Sequence, residues 1–257
     1  MTTLRRMLPF VWVLIVSVAP MLWLIYTSLG EGWHFPNLTP DRFSVAAWQQ
    51  ISGGTLGESL FTSALLATLT AASATALGFW TGQHVAYHRH RIWLLRLIYV
   101  PFVASPVMLG TSLLFLMIKL QLSGTFIGVW LVHLMLAYAF AMLFFEAFWT
   151  PRIQELIQLV YTLGGSQRQV FRRVLLPVAA PAIGLCFFQT FLLSWFQYGI
   201  TLMIGSGRVN TLPIQVFAYV SEANPTFAAT AAVLLTAPPL LLLALNKCLF
   251  MPPWPPD

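Results

Sequence analysis

An all-α, polytopic membrane fold is what this sequence predicts, and three observations carry the prediction. Hydrophobic residues make up 58% of the 257 residues and charged ones 8%, far from the balance of a water-soluble domain. Six apolar stretches are each long enough to cross a bilayer, which takes about 20 residues at about 1.5 Å per residue. The basic residues gather at the ends of those stretches, an arrangement that suits membrane orientation and not nucleic-acid binding.

The stretches run near Met7 to Leu29, Leu60 to Gly82, Leu94 to Ile118, Phe126 to Phe148, Val178 to Ile204 and Phe227 to Phe250, and together they make residues 1–257 a single transmembrane domain. Arg5-Arg6 ahead of the first stretch resembles a signal peptide, but the apolar run is too long for one and lacks a small-x-small exit, so it reads as an uncleaved span. Counting Lys and Arg in the connecting segments gives the orientation. With the N-terminus in the cytoplasm, Arg5, Arg6, Arg89, Arg91, Arg96, Arg152, Arg168, Arg172, Arg173 and Lys247 face inward, and Arg42, Lys119 and Arg208 face outward. Both termini are then cytoplasmic.

The connecting segments carry their own signals. Outside, residues 30–59 are broken by Pro36, Pro40 and Gly53-Gly54, with VAAWQQI long enough for a short interfacial helix and Trp33 and Trp48 placed to sit at headgroups. The second outer loop, 205–226, predicts a short helix started by Pro213 and stopped before Pro225. Inside, HVAYHRHRIW brings three histidines near arginines; the arginines would repel a metal cation, so this reads as a solvated basic turn. Cys186 and Cys248 both lie in apolar runs, with neither a disulfide framework nor metal-ligand spacing.

Within the spans, Pro20, Pro101, Pro106, Pro181, Pro238 and Pro239 imply kinks whose freed backbone groups must find partners in a shared interior. Interior charge is nearly absent, because Glu58 and Glu146 lie at span ends; this speaks against a proton relay or voltage sensor. The fifth span is the most polar. Gln189, Gln197 and Thr201 share a helical face with Ser194 beside it, and Tyr198 follows, so these five are candidates to line a pathway. Their competing role is hydrogen bonding between helices, the role also expected of His133. GFWTG at Gly78 to Gly82 has GxxxG spacing, a weak signal alone.

No GxxxxGK[ST] phosphate loop is present, and neither Lys119 nor Lys247 follows a glycine. HExxH, GxSxG and paired carboxylates in a polar setting are missing too, so the sequence predicts a chain that is not an enzyme and holds no cofactor.

The polar interruption at Thr150 to Pro177, TPRIQELIQLVYTLGGSQRQVFRRVLLP, carries Arg152, Arg168, Arg172 and Arg173 between two apolar runs. Thr150 with Pro151 signals a helix start. Ile153, Leu156, Ile157 and Val160 give that helix one apolar face. Gly164-Gly165 stops it and Ser166 caps a second helix, Gln167 to Leu176, which ends at Pro177. The pattern is a cytoplasmic helix-turn-helix, apolar on one side and basic on the other. It fits equally a hairpin lying on anionic lipid and an element docking a partner.

Gly164, nine residues, then Val174-Leu175-Leu176-Pro177 resembles the cytoplasmic loop of binding-protein-dependent ABC importer permeases, Glu-Ala-Ala-x3-Gly-x9-Ile-x-Leu-Pro. The Gly, Leu and Pro match; Gln158, Leu159 and Val160 stand at the Glu-Ala-Ala positions and Val174 at the Ile. FQYGITLMIGSGRVNTLPIQVFAYV followed by PTFAATAAVLL is similar to the polyamine, ferric iron and related branches. The resemblance implies a type I permease of the inner membrane whose loop is the coupling helix, carried by Gln158, Leu159, Val160, Gly164, Gly165, Arg168, Phe171, Arg172, Leu176 and Pro177. It implies two ATPase subunits holding ATP and magnesium, a second permease chain, a solute-binding protein, and no nucleic acid. A secondary transporter and a non-transporting membrane scaffold are the other classes the residues allow.

Overall fold

The computed structural model describes residues 2–33, 39–88, 91–103 and 106–250. Of the sequence readings, Pro36, Arg89 and His90 lie outside the described residues. The chain is almost wholly helical. In order it forms α1 (Thr2–Ser28), β1 (Gly30–Glu31), β2 (Arg42–Phe43), α2 (Ala46–Gln49) with a 3-10 turn (Gln50–Ser52), α3 (Thr55–Ala86), α4 (Arg91–Val103), α5 (Pro106–Lys119) and α6 (Phe126–Phe148). Then come α7 (Pro151–Thr162), α8 (Gln167–Trp195), α9 (Gly199–Gly205), α10 (Leu212–Ser221) and α11 (Pro225–Phe250).

Among the described residues four of these helices, α3, α6, α8 and α11, are long and apolar enough to cross a membrane, and α4 with α5 makes a fifth if the pair counts as one span. The first expected span falls in α1, whose described apolar part is Val18–Ser28. Two expected spans come out differently. The third, Leu94 to Ile118, is a pair of helices bent by 97° between Arg91–Val103 and Met108–Lys119. Pro101 sits inside α4 and Pro106 opens α5, and a proline both removes a backbone donor and turns the residue before it away from helix. The fifth, Val178 to Ile204, is broken at Phe196–Tyr198 between α8 and α9.

Packing divides the chain into two units, Met1–Ser63 with Asn210–Pro239 and Ala64–Val209 with Leu240–Asp257, the boundaries falling inside α3, between α9 and α10, and inside α11. In the first unit the two-residue strands pair antiparallel, setting Glu31 opposite Arg42. Leu212 donates its N–H to Ser63 Oγ at 2.7 Å, which fixes the start of α10 just where Pro213 supplies the first helical turn. α2 and its 3-10 turn occupy the VAAWQQI segment, as its composition predicts.

Among the described residues the second unit holds two apolar clusters. One joins Ala74 and Phe79 of α3, Ala137, Ala141 and Phe145 of α6, Trp149, and Leu175, Ala179 and Cys186 of α8. The other gathers Leu66, Met117, Val129, Val132, Ile200, Ile204 and Val209. The GxxxG pair is what lets α3 meet α6: a Cβ on Gly78 would lie 2.5 Å from Ala141 Cβ, and one on Gly82 would lie 2.8 Å from Phe145 Cβ.

Candidate coupling hairpin and polar joint

Residues 150–177 form the predicted helix-turn-helix, and its local physics can be read residue by residue. α7 opens on Thr150 and Pro151, but Thr150 makes no side-chain capping bond. Its carbonyl is held instead, accepting from Tyr87 Oη at 3.1 Å and from the N–H of Ile153 at 3.0 Å. At the far end Gly164 has φ +80°. With that left-handed turn, the Gly165 N–H reaches Val160 O at 2.9 Å and the Gly164 N–H reaches Tyr161 O at 3.0 Å, the paired bonds that close a helix in a Schellman motif. Ser166 then caps the next helix in a reciprocal box, accepting from Gln169 N–H while Gln169 Oε1 accepts from Ser166 N–H at 2.8 Å.

Pro177 does not end the second helix, contrary to the sequence reading. The chain continues from Gln167 through Trp195, and Val170–Leu175 widens into π-helical turns just before the proline. Wider turns ease the clash between a proline ring and the carbonyls one turn back, so the helix passes through.

The hairpin is rooted on its own core. Ile153, Ile157 and Phe171 pack against the α3–α6 cluster, and Phe171 stacks on Trp80 with ring centroids 5.6 Å apart. The apolar face predicted for α7 is thereby used largely within the chain, which leaves little of it to lie on lipid; Leu156, at its margin, stays exposed. Pointing outward are Gln158, Leu159, Gly164, Arg168, Arg172, Leu176 and Pro177, while Val160, Gly165 and Phe171 are half-buried. The tip is apolar and open: Leu159 is 56% exposed and Leu163 79%. A cavity of about 530 Å³ lies on the same unit, bounded by Trp80, Gln83, Tyr161, Arg168 and Phe171. Near the hairpin root, Arg91 pairs with Glu146.

The polar residues of the fifth span do not form one face. The break at Phe196–Tyr198 interrupts the helical period, so Gln197 and Thr201 do not continue the row begun by Gln189. Ser194 and Thr201 turn inward to His133, whose Nδ1 lies 2.8 Å from Ser194 Oγ and whose Nε2 lies 2.8 Å from Thr201 Oγ1. The Thr201 hydroxyl donates its one proton to Gln197 O at 2.7 Å. Nε2–H therefore donates to Thr201, and Nδ1 accepts from the Ser194 hydroxyl. His133 is thus the satisfied packing residue its setting predicts. Gln189, Gln197 and Tyr198 are half-buried. Thr190, deeper in α8, faces Thr75 of α3 at 3.3 Å.

In the first unit a cleft of about 820 Å³ is lined by Gln49, Gln50, Thr55, Tyr219, Asn224 and Phe227, neutral hydrogen-bonding groups around an aromatic pair.

The fold has a counterpart in a bacterial ABC transporter. A chain in the crystal structure of a bacterial ABC transporter involved in the import of the acidic polysaccharide alginate superposes with a TM-score of 0.67 at 13% identity, over 97% of this chain and 96% of that one. No protein-family model matches the sequence. PhnV of Salmonella typhimurium, provisionally named a 2-aminoethylphosphonate transport system permease protein, is 24% identical over 228 residues, 87% of this chain and 85% of its own. The inner membrane ABC transporter permease protein YnjC of Escherichia coli K12 is 30% identical over 158 residues, 62% of this chain and 30% of YnjC. Sequence and fold together bear out the resemblance to binding-protein-dependent ABC importer permeases.

Proposed function

We propose that this chain is the pore-forming permease subunit of an ATP-driven importer, coupled to separate ATPase subunits through residues 150–177. One observation carries the reading: a hairpin closed by a Schellman turn and a capping box, rooted on the core by Ile153, Ile157 and Phe171, turns Leu159, Leu163, Arg168 and Arg172 outward. A rigid element with an exposed apolar tip and basic flank is what a partner's cleft would grip. In this reading six spans place both termini in the cytoplasm of an inner-membrane protein. Two ATPases bind ATP and magnesium, and this chain is not catalytic. A second permease completes the pore, and a binding protein delivers solute to the outer loops around residues 207–219. Gln189, Gln197 and Tyr198, half-buried on the fifth span, are the polar side chains placed to meet it.

The test is co-purification from cells expressing the neighbouring proteins, followed by solute uptake into proteoliposomes, with 2-aminoethylphosphonate among the solutes screened because of PhnV. Uptake that requires both ATP and a second polypeptide is expected. Uptake driven by an ion gradient without an ATPase would make the chain a secondary transporter, and a purified complex with no ATPase and no uptake would leave a scaffold.

A further inference from the structure

The break between α8 and α9 has a position, a clamp and an open side. His133, which bridges Ser194 and Thr201 across it, lies seven residues into α6 from Phe126 and fifteen from Phe148. At 1.5 Å per residue that is about 11 Å from one end of a spanning helix and about 22 Å from the other, so the break sits at membrane depth. Helix ends leave backbone N–H and C=O groups without intrahelical partners, and hydrocarbon cannot supply any. Irregular backbone at such a depth survives where protein buries it or where water reaches it. This chain buries it only in part: Gln197 and Tyr198 are half-buried, but Phe196 and Gly199 are exposed, and a Cβ on Gly199 would meet no atom within 4 Å. No charged side chain lies on α8 beyond Arg173 or on α9.

We infer that residues 196–199 are a water-accessible element of the solute pathway, at which Gln197 offers hydrogen bonds to uncharged groups of the solute, with His133 as the positioning residue that holds the break in place. The solute assignment rests on the importer reading above; the accessibility of the break does not. Contact here is by hydrogen bonding, because neither α8 beyond Arg173 nor α9 offers an ion pair.

Cysteine accessibility on the complete transporter in liposomes tests it. Cys186 is fully buried and stays, while Cys248→Ser removes the other thiol. Into that background go Gly199→Cys, Gln197→Cys and, as the lipid-facing control, Leu193→Cys on the exposed apolar side of α8. A charged, membrane-impermeant methanethiosulfonate reagent is expected to modify Gly199→Cys and Gln197→Cys at least tenfold faster than Leu193→Cys, read by mass spectrometry. Transported solute should slow the reaction at Gln197→Cys. Adding His133→Leu is expected to abolish the contrast, and His133→Gln, which keeps a donor for Thr201, to retain more of it. Modification no faster than at Leu193→Cys under every nucleotide condition overturns the proposal and puts the break against lipid or a second permease. Fast modification in a preparation without ATP-driven uptake overturns the solute assignment alone, and equal behaviour of His133→Leu and wild type overturns the positioning role.

Discussion

The indole N–H of Trp149 donates to the backbone carbonyl of Phe79 at 3.1 Å, joining the residue just ahead of the hairpin to the C-terminal half of α3. Trp149 is buried among Phe79, Phe145 and Phe148. The hairpin therefore leaves the core from a fixed aromatic platform, not from a loose connector.

Trp149→Phe keeps most of that apolar volume and removes the hydrogen bond. The expected loss is about 1 kcal/mol, seen as a lower midpoint in thermal unfolding of the solubilised complex. A midpoint equal to wild type would show that the bond contributes nothing to holding the hairpin root.

Gly78→Leu should be far more damaging, because a Cβ there would meet not only Ala141 Cβ at 2.5 Å but also the Ala141 backbone carbon at 2.8 Å. Overpacking of this kind costs about 1–3 kcal/mol and sometimes more. Yield of folded protein by size-exclusion chromatography is the readout. Gly78→Ala combined with Ala141→Gly is expected to recover only in part, since the backbone contact remains.

Gly164→Val places a β-branched residue at φ +80°, a conformation only glycine takes without strain. Nothing else lies within 4 Å of its Cβ position, so the effect is conformational and not steric crowding. ATP-driven transport is expected to fall at least tenfold, with Gly164→Asn retaining more because asparagine tolerates the left-handed region. Normal transport by Gly164→Val would remove this turn from the coupling assignment.

Arg172→Glu with Arg173→Glu reverses the exposed basic flank of α8. Retention of the ATPase on the purified permease should drop at moderate salt. If the ATPase stays bound and only association with anionic lipid falls, the flank faces the membrane.

Much of this was legible in the sequence because single residues dictate local geometry. Pro151, Gly164, Ser166 and Pro213 each produce the turn or helix start their chemistry predicts, and α6 has the bounds its apolar run sets. The rest depends on partners far along the chain. Helical periodicity puts Thr201 on a polar face with Gln189 and Gln197, with Ser194 beside it, but His133 captures both Ser194 and Thr201, and only their approach in space reveals it. Pro177 reads locally as a stop, yet six π-helical residues ahead of it let the helix continue. GFWTG is a weak motif by itself, and its worth lies in Ala141 and Phe145 across the gap.

That continuation through Pro177 has a mechanical consequence. α8 runs 29 residues from Gln167 to Trp195, about 43 Å at 1.5 Å per residue, so the second arm of the hairpin and the membrane span are one rod. Tilting the rod by about 5° at its basic end sweeps Trp195 through about 4 Å. The swept end is the one next to Phe196–Tyr198, where the helix yields and His133 grips both sides. A tilt of that size at the basic end thereby becomes a displacement of several ångströms at the break that His133 bridges.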